Sequence, residues 1–107
     1  MSAIPYVTDE AAFDAEINGE LPVLVNFTAS WCGPCKQMAP VLEEVASDLE
    51  ASMKIVKIDV DEAKEIAGRY TIQGVPTFML FQQGEVLATV VGARPKRELL
   101  DELEPLL

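Results

Sequence analysis

The stretch VLVNFTASWCGPCKQMAPVLEEVASDL, residues 23–49, decides the fold. It opens with an almost unbroken apolar run, which predicts a strand over residues 22–29 that is covered on both faces, as in parallel sheets. Residues 30–34 predict a tight turn, and a long helix follows over about residues 34–50. Pro40 lies inside this helix and is expected to kink it. Apolar side chains recur on its inner face: Met38, Val41, Leu42, Val45, Ala46 and Leu49.

The rest of the chain continues this alternation of strands and helices. The further predicted elements are, in chain order, an edge strand (4–7), a helix (9–18), a buried strand (53–60), a short helix from Asp61 that contains Ile66 and Ala67, two strands (77–81 and 86–91) joined by a hairpin turn at Gln83-Gly84, and a helix from Pro95. The order β, α, β, α, β, α, β, β, α predicts the α/β class. We expect a central mixed sheet of about five strands, flanked by four helices on its two faces.

The sequence predicts both ends and the inner face of the first helix, and the inner face of the last helix. Thr8 or Asp9 can cap the first helix, and Asn18-Gly19 can close it with a turn. The predicted inner stripe of the first helix is Ala12, Phe13, Ala15 and Ile17, and that of the last helix is Leu99, Leu100 and Leu103. Because these apolar faces are used by the core, a monomer is expected.

Size and composition predict one compact domain over residues 1–107. Hydrophobic residues make up 50% of the chain, enough to build a single core. The net charge of −10, from 18 acidic and 8 basic residues, argues against binding to nucleic acid or to anionic membranes, since both bind through Lys and Arg. Lys36 is the first basic residue, so the N-terminus lacks the positive start of a secretory signal. We therefore expect a soluble, cytoplasmic protein.

Cys32 and Cys35 are the only cysteines, and the chain has no histidine. Two intervening residues let the cysteines close a small disulfide ring across the first helical turn. Cys32 then lies at the helix N-terminus, where free N–H groups and the helix dipole favour a thiolate and lower its pKa. Cys35 lies one turn further in, so we expect it to be more buried and less reactive. The pair supplies one attacking and one resolving thiol.

Three other interpretations compete with a redox pair. A purely structural disulfide is unusual inside cells and would close too short a loop to stabilise much. A zinc or iron–sulfur site needs more ligands than two cysteines, so it would require a dimer. The third interpretation is two inert buried cysteines, but Gly-Pro between them after a strand favours redox chemistry. We expect no metal and no cofactor beyond the redox-active disulfide.

The motif Trp-Cys-Gly-Pro-Cys-Lys at residues 31–36 matches the signature of the thioredoxin family. Other matching residues follow in order over nearly the whole chain: Pro40, Lys57, Gly74-Val75-Pro76-Thr77, Phe81 with Gly84, and Gly92. The chain therefore resembles thioredoxins. This resemblance implies the thioredoxin fold and a protein-disulfide reductase whose substrates are protein disulfides. It also implies a thioredoxin reductase as the electron donor.

By the same resemblance, Pro76 follows a cis peptide bond and faces the disulfide, which leaves the backbone of Val75 free to pair with an extended substrate strand. From the residues alone, Pro76 is interpreted as a proline that starts a strand. For Gly92, a strand bulge and a role in docking are equally good explanations. The implied docking surface is flat and weakly polar, and it consists of Trp31, Gly33, Pro34, Val75, Pro76, Thr77, Gly92 and Ala93.

Two positions depart from the family pattern. Asn26 stands where members usually carry a buried aspartate that passes protons to and from the resolving cysteine, and Thr28 replaces an aromatic residue. An amide cannot exchange such a proton near neutral pH. We expect Cys35 to lose its proton through water or with help from Lys57, and resolution to be slower than with an aspartate.

Lys57 also has a structural interpretation, because a partly buried lysine on this strand can pair with Asp59, two residues along on the same face. The nearby acidic side chains indicate a solvated helix start rather than a calcium site; they are Asp59, Asp61, Glu62 and Glu65.

Two further functions of the protein stay open. One is a redox-switched binding subunit, which Asn26 and Thr28 favour, and the other is a disulfide isomerase or oxidase. Isomerases and oxidases of this fold usually have a histidine between the cysteines.

Overall fold

The computed structural model describes residues 4–107 and follows the predicted alternation of strands and helices. The elements, in chain order, are α1 (Glu10–Ile17), β1 (Val23–Thr28), α2 (Gly33–Asp48), β2 (Lys54–Asp59), α3 (Lys64–Arg69), β3 (Thr77–Gln82), β4 (Glu85–Val91), α4 (Lys96–Leu103) and a final 3-10 turn over Glu104–Leu106. Among these residues, no helix combines the length and the apolarity that crossing a bilayer requires.

Four strands form one mixed sheet in the order β2-β1-β3-β4. β1 runs parallel to β2 and antiparallel to β3, and β4 returns antiparallel beside β3. The hairpin turn between β3 and β4 is at Gln83 and Gly84, as predicted, and both residues have positive φ angles, 50° and 81°. This backbone geometry matches the twist of a two-residue hairpin. The predicted mixed sheet with flanking helices is confirmed.

The sheet has four strands rather than about five, because residues 4–7 do not form a strand. They make a single parallel bridge in which Tyr6 pairs with Lys57 at the edge of β2. Two backbone hydrogen bonds hold it, from the Lys57 N–H to the Pro5 carbonyl (2.8 Å) and from the Val7 N–H to the Lys57 carbonyl (2.9 Å). Pro5 has no N–H to donate, so this segment is poorly suited to a longer ladder.

The two faces of the sheet are covered by different helices. Alternate residues of a strand point to opposite faces, so Leu24 belongs to the core beneath α2 and α4, whereas Val25 belongs to the core beneath α1 and α3. The first core contains Leu24, Met38, Leu42, Val45, Ile55, Phe78, Leu80, Leu99, Leu100 and Leu103. The second contains Phe13, Ile17, Val23, Val25, Phe27, Val56, Ile58, Ile66, Met79 and Phe81. The predicted inner faces of α2 and α4 are therefore confirmed.

The inner face of α1 is narrower than its apolar stripe suggested. Phe13 and Ile17 are buried, but Ala12 and Ala15 are exposed. Four residues separate Phe13 from Ile17, so they lie on one line along the helix, and the alanines are rotated away from it. Asp9 is the residue that caps α1, since its carboxylate accepts a 2.8 Å hydrogen bond from the Ala12 N–H.

Two basic residues, Arg69 and Lys96, make ion pairs that join helices on the surface. Arg69 of α3 reaches Asp14 of α1 at 2.9 Å, and Lys96 of α4 reaches Asp48 of α2 at 2.8 Å. The hydrogen bond that Arg69 donates to Asp14 raises the pKa of Arg69, and the one that Lys96 donates to Asp48 raises the pKa of Lys96. Exposed pairs of this kind contribute little to stability, so the two cores hold the helices in place.

Candidate active site

Cys32 and Cys35 form a disulfide at the point where β1 leads into α2. Their Cα atoms are 5.3 Å apart. Cys32 is the N-cap residue of α2, with extended backbone, and its Sγ accepts a 3.1 Å hydrogen bond from the N–H of Cys35. Gly33 and Pro34 form the first helical turn, where the missing N–H of proline costs nothing. The sequence thus places one sulfur on the free N–H groups of a helix start.

The expected difference in burial between the two cysteines is wrong. Cys32 is 4% exposed and Cys35 is 8% exposed, so both are buried and Cys35 is not the less accessible one. The reason is tertiary. The Sγ of Cys32 lies 3.7 Å from the Val75 carbonyl oxygen, on a loop 43 residues away, whereas Cys35 borders a cleft beneath the disulfide.

The Val75–Pro76 peptide bond is cis, as the family resemblance implied. Pro76 is buried, and its carbonyl accepts a 2.8 Å hydrogen bond from the Gly92 N–H. Thr77 is buried too, and its hydroxyl donates a 2.7 Å hydrogen bond to the Gly74 carbonyl. Thr77 therefore holds the loop from within, whereas the half-buried Val75 next to Cys32 faces the surface.

Most of the remaining residues of the implied docking surface are exposed. Trp31 is 69% exposed, and Gly33, Pro34 and Ala93 are exposed as well. Gly92 has a φ of 96°, a backbone conformation that favours glycine. It follows the end of β4 and is not a strand bulge. The register shift of the β3–β4 hairpin lies instead between Leu80 and Phe81.

Trp31 has a partner that the local sequence does not reveal. Its indole N–H donates a 2.8 Å hydrogen bond to the carboxylate of Asp61, which follows β2. Beside the indole lies a small groove of about 120 Å³, which is lined by Trp31, Val60, Ile72, Gln73, Gly74 and Val75. Val75 lines this groove, and its carbonyl oxygen lies 3.7 Å from the Sγ of Cys32.

A second cleft, with a volume of about 270 Å³, borders the disulfide at Cys35. Its lining includes Tyr6, Asn26, Thr28, Cys35, Lys57 and Asp59. Asn26 is 3% exposed, and its amide donates a long hydrogen bond of 3.4 Å to the Phe27 carbonyl. Asn26 and Lys57 are partners in the β1–β2 register, so the structure brings both predicted proton-transfer residues to the cleft that Cys35 borders.

Lys57 does not pair with Asp59, contrary to one of the two interpretations of its sequence position. Its ammonium lies 5.6 Å from the centre of the Tyr6 ring, a cation–π contact with the N-terminal segment. The Asp59 carboxylate accepts hydrogen bonds from the backbone N–H groups of Asp61 (2.9 Å) and Glu62 (3.3 Å). Within residues 4–107, no group of three or more His, Cys, Asp or Glu side chains is arranged to hold a metal ion.

A disulfide that caps a helix beside the Val75 carbonyl, on a mixed sheet with helices on both faces, defines a thiol–disulfide oxidoreductase. The family model for thioredoxin matches residues 4–105. The chain belongs to the thioredoxin family.

Its relatives agree over nearly the whole chain. Thioredoxin from Bacillus subtilis is 50% identical over 101 residues, which are 94% of each chain. Thioredoxin from Synechocystis sp. is 44% identical over 107 residues, which are 100% of each chain. The solved structure of Plasmodium falciparum thioredoxin has a TM-score of 0.90 and 36% identity, and covers 97% of this chain and 100% of that one. Membership of this family, together with the Cys32–Cys35 disulfide, supports protein-disulfide reductase activity without an external cofactor.

Proposed function

We propose that this protein reduces disulfides of other proteins with Cys32 as the attacking thiol and Cys35 as the resolving thiol. The observation that carries this assignment is the position of the Cys32 Sγ. It accepts the Cys35 N–H at the start of α2 and lies 3.7 Å from the Val75 carbonyl. The helix start stabilises a thiolate there, and the Val75 carbonyl is a backbone group to which a substrate strand can bond.

The proposed cycle conserves atoms and electrons. The Cys32 thiolate attacks one sulfur of the substrate disulfide, and the electron pair of the broken bond leaves on the other substrate sulfur, which takes a proton from solvent. Cys35 then loses its proton and attacks Cys32. The Cys32–Cys35 bond forms, and the substrate sulfur that was bound to Cys32 leaves as a thiolate and takes a proton from solvent. The substrate has then gained two electrons and two protons.

Substrate docking uses the surface around the disulfide. Val75 offers its backbone to an extended segment of the substrate, as in β-strand addition, while Trp31 supplies a large apolar face beside it. The buried Pro76 and Thr77 hold the loop in position rather than touching the substrate through their side chains. The other proposed contacts are Gly33, Pro34, Gly92 and Ala93.

The partners follow from this chemistry. Protein disulfides are the substrates, and a thioredoxin reductase returns two electrons to the Cys32–Cys35 disulfide after each cycle. We propose that the chain works as a monomeric single domain in the cytoplasm, where thiols are kept reduced. Its net charge of −10 makes nucleic acid and anionic membranes poor partners.

Trp31 fluorescence provides the test, because Trp31 is the only tryptophan and precedes Cys32 directly. Reduced protein is mixed with a protein disulfide at neutral pH, and the return of the oxidised signal is followed. Fast oxidation that Cys32→Ser abolishes supports the proposal. Cys35→Ser should form the mixed disulfide but not release it, so it separates attack from resolution.

The buried Asn26 favours one alternative, a redox-switched binding subunit that docks on a single partner. Reduction of several unrelated protein disulfides with turnover would exclude it, whereas a mixed disulfide that persists in the unmodified protein would favour it. A glutathione equilibrium tests the isomerase or oxidase alternative, which requires a more oxidising disulfide.

A further inference from the structure

We propose that Asp59 accepts the proton that Cys35 loses during resolution, through water in the cleft beneath the disulfide. This inference rests on the reductase cycle proposed above and assigns one of its steps to a residue outside the Cys-Gly-Pro-Cys motif. Asp59 would take this role because the buried residue 26 is an asparagine, whose amide cannot accept the proton.

The β1–β2 register places Asp59 on the correct face of the sheet. Asn26 is opposite Lys57 and Thr28 is opposite Asp59 in this parallel pair. Because side chains alternate between the faces of a strand, these residues share the face of Leu24, which is covered by α2. Cys35 is in the first turns of α2, and Asp59 and Cys35 border the same cleft.

The cleft is large enough for a water relay. Its volume of about 270 Å³ compares with about 30 Å³ for one water molecule in the liquid. Its walls carry an amide, a hydroxyl and charged groups, which give such waters hydrogen-bond partners. The surface openings of the cleft also let the proton pass on to bulk solvent.

Among the described residues, Asp59 is the only carboxylate that borders the cleft. The other titratable groups of the lining come from the N-terminal segment, from α2 and from β2; they are Tyr6, Cys35, Lys36 and Lys57. Ammonium and phenol groups ordinarily hold their protons at neutral pH, so they are poor proton acceptors. Asn26 cannot accept a proton either. A carboxylate is the one group of this lining that is ordinarily ionised and free to accept a proton there.

Hydrogen bonds hold the Asp59 carboxylate in a fixed position. Its Oδ1 accepts the N–H groups of Asp61 and Glu62 at 2.9 and 3.3 Å. Within the described part of the chain, no donor bonds to Oδ2, so this oxygen can receive a proton without breaking either bond. In the proposed step the Cys35 thiol gives its proton to cleft water, and that water gives one to Asp59. The Cys35 thiolate then attacks Cys32, and Asp59 later returns the proton to solvent.

The test measures formation and release of the mixed disulfide as separate rates by rapid mixing and acid quench. Asp59→Asn keeps an oxygen for the two backbone N–H groups but cannot take the proton. We expect release at pH 7 to be about a hundredfold slower, at the low end of what a general base contributes, and formation to be unchanged. The deficit should shrink as the pH approaches about 8.5, where a thiol ionises without help.

Two further variants make the outcome specific. Glu65→Gln removes the same charge from an exposed position of α3 and should leave both rates unchanged. Asn26→Asp combined with Asp59→Asn returns a carboxylate to the cleft and should restore release. If Asp59→Asn does not fold, Asp59→Ser provides the same test, since its hydroxyl oxygen can also accept these bonds.

Equal release rates for the unmodified protein and Asp59→Asn between pH 6 and pH 8 would overturn the role of Asp59 and leave the reductase cycle intact. If release by Asp59→Asn stays equally slow at high pH, the role of Asp59 is also overturned. At high pH the Cys35 thiol ionises without a proton acceptor, so the loss of Asp59 should no longer matter. Failure of Cys35→Ser to form any mixed disulfide would instead reject the cycle itself. The rate at which the mixed disulfide forms therefore tests the reductase cycle, and the rate at which it is released tests the role of Asp59.

Discussion

The indole Nε1 of Trp31 donates a 2.8 Å hydrogen bond to Oδ2 of Asp61, 30 residues further along the chain. This bond joins the turn before α2 to the turn after β2. Both turns lie at the carboxyl edge of the parallel β1–β2 pair, where neighbouring strands deliver their following loops to the same place. Trp31 remains 69% exposed, so the bond orients the indole without burying it.

Asp61→Ala should therefore loosen Trp31 more than it destabilises the protein. We expect lower fluorescence anisotropy of Trp31 and a change in unfolding free energy of less than about 1 kcal/mol, because the bond is exposed. Reduction of a protein disulfide should slow by about fivefold at most, which corresponds to the same energy. Glu62→Ala removes a neighbouring charge that does not touch Trp31, and its anisotropy should equal that of the unmodified protein. Equal anisotropy in Asp61→Ala would show that other contacts hold the indole.

Asn26→Asp should destabilise the protein at neutral pH and much less in acid. Position 26 is 3% exposed, and burial raises the pKa of a carboxyl group introduced there. The folded state then binds the proton more tightly than the unfolded state, so stability is highest at low pH and falls as pH rises from about 4 through the raised pKa. We expect a loss of about 1–3 kcal/mol at pH 7.5, since the cleft and Lys57 partly compensate the buried charge.

Denaturant melts at pH 4.5 and 7.5 would measure this dependence for Asn26→Asp. Gln37→Glu adds the same charge at an exposed position of α2 and should lack the pH dependence. An Asn26→Asp variant that is more stable than the parent at pH 7.5 would contradict the expectation. The same variant also tests whether resolution is faster with a carboxylate at position 26.

Gly84→Ala and Gly68→Ala should change stability in opposite directions. Gly84 has a φ of 81°, and a Cβ there would lie 2.8 Å from the Asn18 side-chain oxygen. The strained backbone and the clash should together cost about 1–3 kcal/mol. Gly68 lies inside α3 with open space around it, so alanine should stabilise by up to about 1 kcal/mol. Thermal or denaturant melts decide, and equal effects of the two substitutions would contradict this difference.

Phe13→Ala should be among the most destabilising substitutions in α1. Phe13 is fully buried and packs edge-to-face on Phe81, with ring centres 5.9 Å apart. Loss of the ring and the resulting cavity should cost about 3–5 kcal/mol. Ala12, the adjacent residue, is exposed, so Ala12→Gln should stay within about 0.5 kcal/mol of the parent. A large effect at Ala12 would mean that α1 packs on the wider stripe that its sequence suggested.

Local pattern alone predicts most of the helices and strands. The apolar run of β1, the helical spacing of Met38, Leu42 and Val45, and the Gln83-Gly84 turn each act within a few residues, and each lies where it was expected. The Cys32–Cys35 pair belongs to this class too. Both cysteines lie in one helical turn, so the chain itself brings them together. Residues 4–7 show the limit, because an apolar run has strand propensity but does not fix the length of the ladder, and this segment makes a single bridge to Lys57.

What the sequence by itself determined is therefore the alternation of strands and helices, the redox pair and, through the resemblance, the family. Tertiary structure decided which surroundings these residues have. It left Cys35 beside an open cleft, buried Thr77 and turned Lys57 towards Tyr6 rather than Asp59. It also brought Asp61 to Trp31 and placed Asp59 in the cleft that Cys35 borders. These relationships join residues of different strands and loops, and they depend on register and packing, which the periodicity of one segment does not contain.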